Sequence, residues 1–354
     1  MTTLSTGRAG NSRSRPWQRR WVMVFLVVLA PFTVDVLYGA TTIGTAIAIL
    51  AEIGSYGLAA LLARAVARRQ DGGFRVIVLL GVAFALAAEF FVVQTSLAPL
   101  GVLEPYPDYG RAAGVNWPYL VWALGYESLW GIVIPIQLTE LTFPLHRTSA
   151  WLGARGCAVL TILLVLGAGA DWYNWTQVVV PDFLHEQVYL PPLITVLCGW
   201  VVVLVLVLGA LLLRPAQRVR ANADSARPAP APAVAGMAAA GAAFLWFTLT
   251  VSWAMSGAWA RAVPAFVPLL LALILATTCA LVARRWARSA GWSDGHRLAV
   301  LSGALVAAMA EGFVSNDLTD PVNLIGKIVL NAIAVGALVL LARKLRRRGT
   351  PTAK

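Results

Sequence analysis

Charge is scarce in this chain. Asp, Glu, Lys and Arg make up 12% of its 354 residues, about half of what a soluble globular protein carries, which excludes an ordinary soluble fold. Cysteine and histidine are nearly missing, with three of each. Cys157, Cys198 and Cys279 all fall inside apolar runs without metal-ligand spacing, so neither a disulfide framework nor a zinc site is encoded, and no metal or cofactor is expected. No glycine-rich nucleotide loop and no Ser/His/Asp set occurs, which removes ATP-driven transport by this polypeptide alone. The net charge of +12 raises the question of nucleic acid. Its basic residues sit in short clusters between apolar runs, however, with no aromatic and basic surface to meet bases or phosphates, and nucleic acid is excluded as a partner.

What the chain does have is hydrophobic sequence, 59% of it, in runs of about 20 residues that match the thickness of a bilayer. The expected fold is all-α, a polytopic transmembrane bundle of about ten spans near 21–38, 42–63, 76–96, 117–139, 155–170, 190–213, 235–255, 263–283, 298–315 and 322–342. With the amino terminus in the cytoplasm, all of the 28 Lys and Arg residues except Arg111, Arg261 and Lys327 fall on the cytoplasmic side. The positive-inside rule then puts both termini there, in a multi-pass protein of the cell inner membrane with membrane lipids as partners. The domain reading is a basic tail (1–20), a first membrane half (21–213, spans 1–6), a Pro/Ala-rich cytoplasmic linker (214–234), a second half (235–342, spans 7–10) and a basic tail (343–354). Residues 97–116, with Glu104, Pro105, Pro107 and Asp108, and 171–192, with Trp172 and Tyr173, read as outer loops.

Sliding the chain by 222 residues aligns span 3 with span 9 without a gap: Arg75 meets Arg297, Gly81 meets Gly303, Glu89 meets Glu311, Phe91 meets Phe313 and Pro99 meets Pro321. The register predicts a parallel internal repeat of spans 1–4 in spans 7–10, related by an axis along the membrane normal.

Ionisable residues at bilayer depth are costly and need a partner or a cavity. The proton- or ion-coupling candidates are Asp35, Glu52, Glu89, Glu127, Glu311 and Lys327, with Gln94, Asn316, Asn323 and Asn331 as supporting polar groups. Counting ~1.5 Å per residue from the helix ends places Asp35, Glu89, Glu311 and Lys327 at one level, and Glu52 and Glu127 near the middle. Lys327 is expected to pair with Glu89, Glu311 or Asp35. One ammonium cannot neutralise three carboxylates, so at least one acid should carry a proton. Glu140, near the inner end of span 4, is expected to snorkel to the interface.

The segment Ala88-Glu89-Phe90-Phe91-Val92-Val93-Gln94 resembles uncharacterised bacterial multi-span proteins that are distantly similar to the CAAX-protease and bacteriocin-processing membrane family. The resemblance covers spans 2 to 4. It implies a paired Glu-Glu followed by Arg, and later His residues, acting on water. In this chain Ala88 stands for the first Glu and Val93 for the Arg, Glu127 lies where a His is expected, and His146, His185 and His296 fall in expected loops. The catalytic motif is not preserved, no catalytic residue is carried over, and the reading leans away from an enzyme. Intramembrane carboxylates suit a proton- or ion-coupled secondary transporter with a small solute or ion as its partner. The alternatives are a degenerate intramembrane hydrolase-like protein and a non-catalytic membrane scaffold.

Overall fold

The computed structural model describes residues 16–100, 108–213, 228–252, 262–316 and 318–349. Arg8, Arg13 and Arg15 of the first tail, Glu104, Pro105 and Pro107 of the first outer loop, Arg214, Arg218, Arg220 and Arg227 of the linker, Arg261 and Lys354 lie outside the described residues.

The protein is an all-α polytopic bundle. Among the described residues nine helices are long and apolar enough to cross a membrane. These are α2 (Ala46–Arg69), α3 (Gly73–Val92), α4 (Trp117–Thr142), α5 (Ala154–Phe183), α6 (Leu193–Leu212), α7 (Pro232–Thr250), α8 (Phe266–Trp286), α9 (Asp294–Ser315) and α10 (Pro321–Arg348). They are preceded by α1, an α-helix Pro16–Pro31 that continues in a π turn, Phe32–Val36. Large apolar side chains such as Trp200, Leu204 and Leu208 on α6 and Leu270, Leu273 and Ile274 on α8 point outward, as they do where lipid tails are the solvent. The only strands among the described residues are β1 (Arg111–Ala112) and β2 (Val115–Asn116), a short hairpin before α4.

Contacts between helices give their directions. Gly54 of α2 abuts Gly167 of α5, and one end of the same pair is marked by Arg69 donating to the Leu152 carbonyl, so these two run antiparallel. In α4 and α9, Trp130 Nε1 donates to Ala304 O and Arg297 to Gln137, again antiparallel. The pair α7 and α9 is parallel, since His296 meets Pro230 O and Gly303 meets Gly236. An alternating up-and-down chain requires all three relations. Gly303 and Gly236 also show why small residues sit there: a Cβ on Gly303 would fall 2.0 Å from the Gly236 carbonyl oxygen. Close backbone approach of this kind is how helices gain packing in lipid, where no hydrophobic effect drives them together.

Several helix ends move from their expected places. The run 155–170 was too short to cross ~30 Å as a helix; α5 extends to Phe183 through a π segment, Trp175–Phe183, and takes Asp171 out of the expected outer loop. Arg64 and Arg68 lie within α2 rather than in a loop, and His296 lies in the first turn of α9, capping Ser293. His146 ends a 3-10 turn, Pro144–His146, and is buried.

Glu140 does not snorkel. It is 1% exposed; its Oε1 accepts from Arg68 Nε at 2.9 Å and Nη2 at 2.6 Å, and its Oε2 from the same Nη2 at 2.5 Å. Arg64, fully buried, brings its Nε to 3.1 Å from the same carboxylate. The rest of the Arg64 guanidinium donates to the carbonyls of His146 (2.8 Å), Arg147 (3.1 Å) and Ser149 (3.3 Å) and lies 3.3 Å over the Trp151 ring. Snorkelling loses because two cations from α2 reach the acid inside the bundle, and charge-assisted, multidentate bonds replace water. Nearby, Asp294 of α9 binds Arg147 at 3.0 Å and Arg297 at 3.3 Å, so one end of the bundle is a closed polar layer joining α2, α4, the α4–α5 turn and α9.

Removing one member of a buried ionic set strands the others, at a cost of about 3–5 kcal/mol. Glu140→Ala should therefore lower the thermal midpoint of the detergent-solubilised protein far more than Asp294→Ala at the half-exposed pair; equal shifts would show that the buried set contributes little. Burial, with Arg19 and Arg64 nearby, also holds the His146 imidazole below its ordinary 6.5. Its contribution to stability is then complete above pH 6.5 and declines as pH falls through that value. A His146→Asn variant should lose this part of the acid sensitivity in thermal unfolding followed from pH 7.5 to 5.

Candidate functional site

At the opposite end of the bundle Asp35, Glu52, Glu89 and Glu127 enter no ion pair among the described residues. The six candidates do not form one group around Lys327. They separate into two, and the reason is the end of α1.

The first group comprises Asp35, Glu52, Glu89 and Glu127, joined by Asp171 of α5. Glu89 is 1% and Glu127 5% exposed. Their side chains lie within interaction range of one another between α3 and α4. Glu89 Oε2 also accepts the Ser96 N–H at 2.8 Å, so the turn after α3 is folded back onto its own acid. Gln94 makes that turn possible, adopting φ +56° while its carbonyl accepts from Leu97 and Ala98; it supports the site through its backbone. On α2, Glu52 accepts from Thr41, and Ser55 faces Asp171. Asp35 lies within electrostatic range of Glu52 and Asp171, and Tyr56 faces Glu127. Among the described residues the ion pairs are Arg64 and Arg68 with Glu140 and Arg147 and Arg297 with Asp294; none includes these five acids. No three of the described His, Cys, Asp and Glu residues are arranged to hold a metal.

Local backbone geometry singles out the same positions. Asp35, Glu89 and Glu127 each sit in a π turn, at Phe32–Val36, Ala88–Val92 and Glu127–Val133, and Glu52 immediately precedes another, Ile53–Gly57. An inserted residue rotates everything beyond it by about 100° around the helix axis, and single π turns in helices recur at functional sites. Side chains take up the displaced carbonyls: Tyr126 donates to Val34 O, and Thr33 donates to Trp130 O at 2.7 Å.

The second group holds Lys327, Glu311, Asn316 and Asn323. Lys327 is 4% exposed, and its Nζ donates to Leu37 O at 3.1 Å and Tyr38 O at 2.6 Å. Asn316 adds a bond to Tyr38 O at 3.1 Å, and the Gly44 N–H donates to Asn323 Oδ1 at 3.1 Å. The expected ion pair is replaced by a helix cap: α1 ends at this point with carbonyls that lack helical partners, and the negative end of a helix attracts a cation. Two glycines give the ammonium room. A Cβ on Gly312 would sit 2.7 Å from Nζ and 1.6 Å from Tyr38 O, and Gly39 (φ +97°) lies against the Lys327 stem. Glu311, 4% exposed, accepts from Ser315 at 2.9 Å on a helix that is α-helical throughout, unlike α3 at Glu89. Asn331, one turn from Lys327, is 8% exposed, and its amide makes no hydrogen bond among the described residues.

Aromatic rings lie between the groups. Tyr119, Trp122, Tyr126 and Trp130 follow one another along α4 with centroids 5.1, 5.0 and 5.2 Å apart. Tyr38, in the turn that follows α1, and Phe247 of α7 complete the stack. The sequence reading missed Asp171 and this ladder. The shortness of the run 155–170 was a signal for the first, and the 3, 4, 4 spacing of aromatics on α4 for the second.

Comparison of the chain with protein-family models, with curated proteins and with solved structures finds no match. The residues themselves therefore carry the functional argument.

Replacing Lys327 by Met leaves the Leu37 carbonyl without a donor, at about 1–3 kcal/mol, and the Tyr38 carbonyl with Asn316 alone. Lys327→Met and Gly312→Ala should both destabilise the protein, and Lys327→Arg, whose larger head does not fit between the glycines, should not rescue it. If Lys327→Met unfolds at the wild-type temperature, the cap is unimportant.

Proposed function

We propose that this multi-span membrane protein is a proton-coupled secondary transporter whose coupling site is the acid group Asp35, Glu52, Glu89, Glu127 and Asp171. The observation that supports this reading above the others is the burial of Glu89 and Glu127 within range of one another at bilayer depth with no cation paired to either among the described residues. A purely structural acid would be expected to look like Glu140, held by two arginines. Acids left to protons are the usual means of coupling a solute to a proton gradient in helical bundles.

The half-repeat belongs to the same proposal. In its favour, α1 and α7 each pass from an α-helix into a π turn, at Phe32 and at Thr248. The orientation with both termini in the cytoplasm of an inner membrane is also proposed; it puts the arginine-rich layer inside and the acids toward the outer face.

Reconstituted in liposomes with an imposed pH gradient, the wild-type protein should move protons with its solute. Glu89→Gln and Glu127→Gln fix the neutral form and should each abolish the pH dependence while leaving the folded protein in the membrane. Glu311→Gln, outside the group, should retain it. Loss in all three variants, or in none, would sink the assignment of coupling to this group.

A further inference from the structure

We infer that the solute site is built from the α4 aromatic ladder beside these acids, and that it takes a lipophilic organic cation, of the quaternary ammonium or phosphonium class. The inference rests on the transporter reading and specifies its substrate.

Acids alone would suit a proton or a metal ion equally. The rings next to them narrow the choice. Tyr126, which is buried, and Tyr119, which is half-buried, lie within electrostatic range of Glu127, and Tyr126 also within range of Asp35. Ring faces attract cations that have lost their water, most strongly those of Trp and Tyr, and a carboxylate adds the counter-charge. A small hydrated ion gains little from rings, and a neutral solute gains nothing from the acids. Only an apolar cation uses both.

A polar atom among the acids is also left open. Glu127 Oε2 has no hydrogen-bond partner among the described residues.

Phe247 marks where the solute's apolar body would lie. This fully buried ring comes from α7, one residue before its π turn, and is enclosed by Tyr38 at 6.0 Å, Trp130 at 5.5 Å and Tyr126 at 5.6 Å. The three walls come from the turn that follows α1 and from α4, and these two helices also carry Asp35 and Glu127. The box is thus closed by a ring of the protein's other half. A cation would replace Phe247 between the walls and a proton on the acids.

The probe is tetraphenylphosphonium, titrated into the purified full-length protein with tryptophan fluorescence and calorimetry as readouts, beside its neutral analogue triphenylphosphine oxide. Wild-type protein should bind the cation at least tenfold more tightly at pH 8 than at pH 5.5, release protons on binding, and ignore the neutral analogue. Glu127→Gln should weaken binding at least tenfold. Phe247→Ala, which empties the box, should tighten it, so a gain as well as a loss is required. Equal binding of the neutral analogue, or cation binding unchanged in Glu127→Gln and Phe247→Ala, overturns the inference. If the phosphonium does not bind while pH-dependent flux of another solute persists, the substrate class falls and the coupling site stands. If it binds as described but no flux occurs in liposomes, the site stands and transport falls.

Discussion

The carboxylate of Glu140, held by Arg64 and Arg68, is the junction on which the bundle depends. It ties α2 to α4, and through the remaining Arg64 donors it clamps the turn that leads into α5. In lipid, where an unmet polar group costs several kcal/mol, such a knot is tolerated when its charges and most of its donors are met. Here the guanidinium of Arg64 meets a carboxylate, three carbonyls and an indole face. That end of the molecule consequently carries more cations than acids in its ion pairs, Arg64, Arg68, Arg147 and Arg297 against Glu140 and Asp294.

Across the membrane the balance is reversed. Five acids from α1 to α5 approach one another without an ion-pair partner among the described residues, on helices that depart from α geometry at or beside the acids. The departures are what let side chains from four helices converge. A regular α3 would place Glu89 about 100° from its neighbours' expected face only by accident of register, whereas a π turn sets that angle locally without disturbing the helix below. The same turns leave carbonyls that Tyr126 and Thr33 must satisfy, so the widened segments are held in place by side chains rather than by the helix ladder.

The spans, their number and most of the buried ionisable residues were legible in the sequence, because a bilayer imposes run length and the cost of charge directly. Depth was legible too, at 1.5 Å per residue. Azimuth was not. Periodicity assumes an unbroken 3.6-residue turn, and π turns at Asp35, Glu89 and Glu127 shift the face that each acid presents. Partner choice was also hidden. Glu140 looked like an interfacial residue because nothing in linear sequence shows that Arg64 and Arg68, 76 and 72 positions earlier, lie on the face of α2 that meets it. Asp171 was lost to a loop because an apolar run ended at 170, although a helix of 16 residues spans only about 24 Å.

Lys327 shows how a small change of partner decides the character of the site. Near the same level as the acids, it had every electrostatic reason to neutralise one of them. The carbonyls of Leu37 and Tyr38 take it instead, because α1 ends beside Gly312 and Gly39, where only a Cβ-free backbone lets the stem through. A lysine bound to carbonyls keeps its charge out of the acid group, whose members enter no ion pair among the described residues. Had α1 run one turn further, its carbonyls would have been met within the helix and the ammonium freed for Glu311 or Asp35. The length of one helix therefore determines whether the buried acids are fixed as ion pairs or remain open to exchange.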